Sequence, residues 1–160
     1  ASISEPISEQ VFIKKAKNTS EKKFKIKLYI ARKIAEHTIT NSKISESHYF
    51  YISSFSITTI IYKGIIMPED IGPYYLDLQE VDLVTRLALV HQRFSTNTMP
   101  TWELAQPFRL LCQNGEINTL KGNLSRMRVR EEIMKSEVFG PQMEKLFPII
   151  FQNFRKFSKF

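Results

Sequence analysis

The chain has 160 residues, 42% of them hydrophobic and 24% charged, which suits a soluble globular protein large enough to bury a core without disulfides. Its net charge of +7 is spread over clusters at Lys14–Lys17, Lys22–Lys27, Arg126–Arg130 and Arg155–Lys159. Acidic residues interleave several of these, so solvated faces are expected rather than nucleic-acid binding. Cys112 is the only cysteine, which excludes an intramolecular disulfide and a thiolate metal cluster. No apolar run reaches a membrane-spanning length. A cytoplasmic chain with no metal, no nucleic acid and no membrane partner is the expectation.

Residues 1–10 are polar and include Pro6; they read as a loose lead-in with no signal peptide, and the start at Ala1 reads as a cut or processed end. Residues 11–13 are expected as a short strand. Asn18 is placed to cap a helix, with Glu21 three residues on. Phe24, Leu28, Ala31 and Ala35 then recur at helical spacing, which predicts an amphipathic packing helix over 20–37. Residues 48–55 and 57–63 are β-branched and aromatic and predict two strands ending at Gly64. Met67-Pro68-Glu69-Asp70 and Gly72-Pro73 are turn signals. Thr85–Val90 predicts a buried strand and Phe108–Cys112 a short one. A helix is expected from Asn118 to about Lys135, with Leu120, Leu124 and Met127 on one face and Gly140-Pro141 as its stop. Strands and helices mixed without strict alternation favour an α+β fold, with a largely antiparallel sheet covered by helices.

Two segments place specific polar residues directly after apolar strands. In His91-Gln92-Arg93-Phe94-Ser95-Thr96-Asn97-Thr98, strand alternation puts His91, Arg93 and Ser95 on one face. An arginine at a strand end can grip a carboxylate through two parallel hydrogen bonds; it can equally pair with a neighbouring Glu or Asp. His91 taken alone reads as a structural residue. In Gln113-Asn114-Gly115-Glu116, the Asn-Gly pair can be a plain hairpin turn. It can also form an oxyanion hole, with the Asn amide and the Gly N–H as donors to a developing negative oxygen. Cys112 sits in an apolar run and reads as a small buried hydrophobe rather than a nucleophile.

Taken together, Leu89 to Arg109, Asn114 to Asn123 and Met127 to Glu131 closely resemble the glutaminase domain of the glutamate synthase family, with Met67–Asp70 and Tyr74–Leu78 in support. That domain is a class II glutamine amidotransferase of the N-terminal-nucleophile hydrolase fold. The resemblance covers about residues 9–150; 151–160, with Phe151, Phe154, Phe157 and Phe160 among basic groups, reads as a tail foreign to the family. It implies a partial four-layer αββα sandwich. It also implies an N-terminal cysteine that attacks the side-chain amide of glutamine, releasing ammonia and leaving a glutamyl thioester for hydrolysis. By resemblance Arg93 holds the glutamine α-carboxylate, Thr96 lines the same pocket, and Asn114 and Gly115 form the oxyanion hole.

Three departures accompany the likeness. No cysteine stands among residues 1–111, no aspartate follows Asp82 where the family holds the substrate amino group, and Gln113 replaces a frequent histidine. The expectation is an internal piece of the domain, inactive alone for want of the nucleophile. The alternative is a non-catalytic module that binds glutamine or glutamate. The resemblance implies no cofactor in this piece. For the parent enzyme it implies FMN and an iron–sulfur cluster, the remaining domains and a small reductase subunit.

Overall fold

A computed structural model describes residues 5–94, 96, 99–106 and 119–150. Three α-helices stand among them: α1 (Glu21–Thr40), α2 (Ile71–Tyr74) and α3 (Leu120–Ile133). The chain divides into two compact units. One comprises Ala1–Ile13 with Tyr51–Gln113, the other Lys14–Phe50 with Asn114–Phe160.

The second unit is built on α1. Ser20, in extended conformation, accepts the Lys23 amide on its hydroxyl at 3.3 Å and so caps the helix. Asn18 does not cap it, because the helix begins at Glu21 and Asn18 lies in the preceding turn closed by Thr19 N–H to the Ala16 carbonyl at 3.0 Å. A capping side chain must sit immediately before the first helical residue to reach the third amide. Glu21 in the first turn and His37 in the last complement the helix dipole. The helix runs three residues past the expected end at 37, to Thr40, where Asn41 closes it.

The buried side of α1 carries Leu28, Ile30 and Lys33, whereas Ala31 is exposed. Tyr29 packs its ring 5.7 Å from that of Phe139. Leu146, only 2% exposed, is the most deeply buried large side chain among the described residues. Lys33 is 7% exposed, and two contacts make that tolerable. Its Nζ donates to the Ile149 carbonyl at 2.7 Å and lies 3.7 Å from the Glu36 carboxylate. Glu36 in turn accepts Arg32 Nε at 2.6 Å. Burial lowers the Lys33 pKa below the usual lysine range and Glu36 pulls it part of the way back. Glu131 of α3 accepts the Ile149 amide at 2.6 Å, fixing the 147–150 segment from the other side.

Helix α3 ends at Ile133, two residues short of the expected Lys135, where Met134 turns extended; Gly140-Pro141 lies beyond its end and is not its stop. Gly140, at φ +48, opens a 3₁₀ helix over Gly140–Leu146 with Pro141 in its first turn, a position that needs no N–H donor. Leu124 and Met127 are half-buried as their spacing predicts, while Val129 and Ile133 face solvent.

The first unit holds most of the segments expected as strands, and no strand forms among the described residues. Residues 11–13, 48–55, 57–63 and 85–90 run as extended chain, bends and short turns, including a 3₁₀ turn at Ser47–Tyr49 in the second unit. The physical reason lies in where their backbone groups go. A strand satisfies its amides and carbonyls only on a neighbouring strand, and here three of the amides go to nearby hydroxyls instead. Ser56 Oγ accepts the Thr58 amide at 3.2 Å, Ser54 Oγ the Ile61 amide at 3.2 Å, and Thr85 Oγ1 both accepts the Leu87 amide and donates to its carbonyl. Ser and Thr compete with ladders in just this way. Thr85–Val90 is also exposed rather than buried. The expected strand at Phe108–Cys112 lies outside the described residues.

What orders the first unit is an aromatic cluster. Pro68–Asp70 makes a 3₁₀ turn that leads into α2, with Pro73 inside the single turn of α2. Tyr74, Tyr75 and Tyr62 pack ring on ring at 4.8–5.0 Å, and Tyr74 lies 5.9 Å from Trp102. Trp102 and Ala105 are buried. Gly64 lies so close under the indole that a Cβ built there would meet Trp102 Cζ3 at 2.4 Å. Lys63 is buried beside it, its Nζ donating to the Glu103 carbonyl at 2.7 Å and standing 5.1 Å from the centre of the Tyr51 ring. Tyr75 OH donates to the Lys63 carbonyl at 2.7 Å.

Candidate functional site

Arg93 and Thr96 belong to the first unit, on the stretch that leaves residues 81–90 and bends at Thr96 before reaching the Trp102 anchor. Both side chains are exposed. Among the described residues the Arg93 guanidinium has no hydrogen-bond or ion-pair partner, so the acidic partner considered as the bland alternative is not found there. A guanidinium can take a carboxylate through two parallel hydrogen bonds. His91 Nε2 lies against the backbone carbonyl of Arg93, two residues on.

The downstream end of this stretch is held by the aromatic cluster. Trp102 sits on Gly64 and against Tyr74, and Lys63 reaches across to the Glu103 carbonyl. The upstream side is tied through Asp77, whose carboxylate accepts Tyr62 OH at 2.8 Å and Gln10 Nε2 at 2.5 Å. Hydrogen bonds from Gln10 and Tyr62 hold the Asp77 carboxyl below the usual carboxylate range. Burial, and the bond to Asp77, push the Tyr62 pKa up to about 12. Sequence reading missed Lys63 and Trp102 as organising residues. The available signal was that the chain's single tryptophan falls within the most distinctive polar-apolar run.

Asn114 and Gly115, read as the oxyanion pair, and Cys112 and Gln113 beside them, lie outside the described residues. A depression of about 640 Å³ runs along α3 in the second unit, lined by Asn123, Arg126, Arg130 and Ile150 among others. It contains none of the site residues read from the sequence. Among the described residues no three His, Cys, Asp or Glu side chains gather to hold a metal, and no helix is long and apolar enough to cross a membrane. An iron–sulfur cluster takes four ligands, mostly thiolates, and one cysteine cannot supply them. The residues of this chain therefore do not fit that group.

The glutamine amidotransferases of class II match this sequence over residues 1–158. The chain belongs to that family. Within the class II amidotransferases its similar proteins are glutamate synthases. It is 47% identical over 146 residues to the NADPH glutamate synthase large chain of Bacillus subtilis (strain 168), which covers 91% of this chain and 9% of that protein. The NADH glutamate synthase of Saccharomyces cerevisiae is 43% identical, over 92% of this chain and 7% of its own length. The ferredoxin-dependent glutamate synthase of Pyropia yezoensis is 42% identical, over 93% and 10% respectively. The chain thus spans about a tenth or less of the length of these relatives.

Proposed function

We propose that this stretch is the glutamine-gripping part of a glutaminase domain within a glutamate synthase, which hydrolyses glutamine to supply ammonia for making glutamate from 2-oxoglutarate. The observation that carries the reading is Arg93. It stands in the run that most resembles the family, exposed and without a charged partner among the described residues. In this reading Arg93 takes the α-carboxylate of glutamine as a bidentate pair and Thr96 lines the same pocket. Asn114 and Gly115 supply the donors that stabilise the tetrahedral oxyanion. The assembled domain adopts the αββα sandwich, with the extended apolar segments of the first unit pairing as strands. FMN, the iron–sulfur cluster, the small reductase subunit and the cytoplasmic setting belong to the parent enzyme. The residues here act through none of those groups.

Attack on the amide carbon requires a thiolate with a base beside it. Residues 1–111 contain no cysteine, so the 160-residue chain by itself binds glutamine and releases no ammonia. Calorimetry with glutamine tests the grip. Arg93→Ala should weaken binding by about 2–4 kcal/mol, the cost of removing one partner of a charged bidentate contact. An unchanged affinity would remove Arg93 from the site. Ammonia release that disappears in Cys112→Ser would instead make Cys112 the nucleophile and overturn the mechanism. Binding without hydrolysis in the intact parent would favour the non-catalytic module.

A further inference from the structure

We infer that the depression along α3 is a binding site for a small dicarboxylate, gripped by Arg126 and Arg130. The two arginines stand one turn apart on the helix, about 6 Å along its axis, and line the same concavity with Asn123. Positions 123, 126 and 130 fall in one stripe, at the i, i+3, i+7 spacing of a single helix face. Both arginines are exposed, and neither forms a hydrogen bond or ion pair among the described residues.

The neighbouring acids do not neutralise them. Glu131 accepts the Ile149 amide at 2.6 Å, and Glu132 follows Arg130 by two residues, a step that turns it to the far side of the helix. No lining residue of the depression is acidic. Most of the remaining lining is apolar, from Met127, Val129 and Ile150. Two guanidiniums beside hydrocarbon walls suit a ligand with a carboxylate at each end and methylenes between. Each fork takes one carboxylate through parallel hydrogen bonds, and the methylenes cover the apolar wall. Inorganic phosphate would meet the guanidiniums and leave that wall in water. The volume of about 640 Å³ falls within the range of small-molecule sites, roughly 300–1,000 Å³. The site belongs to the second unit, whereas Arg93 belongs to the first, so it does not rest on the reading of Arg93.

Calorimetry on the whole chain tests the site at low ionic strength, where screening is least. The ligands are glutarate, its monoamide glutaramate and inorganic phosphate. Glutarate should bind more tightly than either of the others. Arg126→Gln and Arg130→Gln should each weaken it about three- to tenfold, between the contribution of an exposed ion pair and that of a full charge-assisted hydrogen bond. Glutamine is a good helix former, and an unaltered helical circular dichroism signal shows that the variants are folded. Arg128→Gln removes the same charge from a residue outside the lining and should leave glutarate binding within about twofold. Arg93→Ala should leave it unchanged. No glutarate binding by the unaltered chain, an equal loss in Arg128→Gln, or phosphate binding as tight as glutarate would overturn the proposal. A loss in Arg93→Ala would put glutarate in the glutamine pocket, defeating the site on α3 while supporting the grip at Arg93.

Discussion

Substituting Gly64 by Ala puts the packing of the first unit to a direct test. The added Cβ would lie 2.4 Å from Trp102 Cζ3, 2.8 Å from Cε3 and 2.9 Å from Ile66 Cδ1. Contacts this short cannot persist, so the indole must move or the backbone must yield. The indole has little room: it is 6% exposed, and the Tyr74 ring stands at 5.9 Å. Its neighbour Glu103 is tied by its carbonyl to Lys63 Nζ at 2.7 Å, and Lys63 adjoins Gly64 in sequence. Overpacking of this kind costs about 1–3 kcal/mol. For a chain of this size that lowers Tm by roughly 2–10 °C. Trp102 is the only tryptophan, so its fluorescence follows the event at its source, in thermal or urea unfolding. Gly72→Ala is the control, since nothing lies within 4 Å of the added atom and its backbone is not left-handed. It should change stability by less than about 0.5 kcal/mol, the usual range away from special features. Equal midpoints for the two variants, with an unshifted emission maximum in Gly64→Ala, would refute the close seating of Trp102 on Gly64.

Other outcomes follow from the same coordinates. Leu146→Ala in the second unit should cost about 2–5 kcal/mol, because a side chain only 2% exposed leaves a cavity when truncated; chemical denaturation measures it. Ser20→Ala should cost about 1 kcal/mol and lower the helical circular dichroism signal, through loss of the cap on the Lys23 amide, whereas Asn18→Ala should not. Burial pushes the Tyr51 pKa up to about 12, against about 10 in the unfolded chain. A raised folded-state pKa means the folded chain holds the proton more tightly. The associated stability is complete below pH 10 and is lost between about pH 10 and 12. Ultraviolet titration of the phenolates should therefore show Tyr51 ionising late, and Tyr51→Phe should flatten the alkaline loss of stability.

The sequence was informative where structure is made locally. Phe24, Leu28 and their periodic neighbours announced α1, and Leu124 and Met127 announced α3, because helical hydrogen bonds close four residues away within the same segment. Helix ends were less legible. The cap falls on Ser20 rather than Asn18, and α3 ends at Ile133, near the expected Lys135 but without Gly140-Pro141 as its stop; such ends turn on single torsions. The strands read at 48–55, 57–63 and 85–90 rested on composition, which reports a preference for a pleated, half-buried setting and not the partner that creates one. Ser54, Ser56 and Thr85 each took one backbone amide there instead. For the site, Arg93 was readable as an expectation from chemistry following an apolar run, and Thr96 from the family resemblance alone. That His91 Nε2 lies against a backbone carbonyl was not readable, since a histidine has the same letter whether it faces a substrate or a peptide.

By itself the sequence determined the family, through the long ordered run from Leu89 to Glu131, and the want of a cysteine before Cys112. Both are properties of residue order alone. Tertiary structure decided that Lys33 and Lys63 are buried, that Trp102 seats on Gly64, and that Thr85–Val90 stays in solvent. Burial of a charge, like closure of a ladder, depends on which distant carbonyl or ring arrives beside it, and no local pattern specifies that arrival.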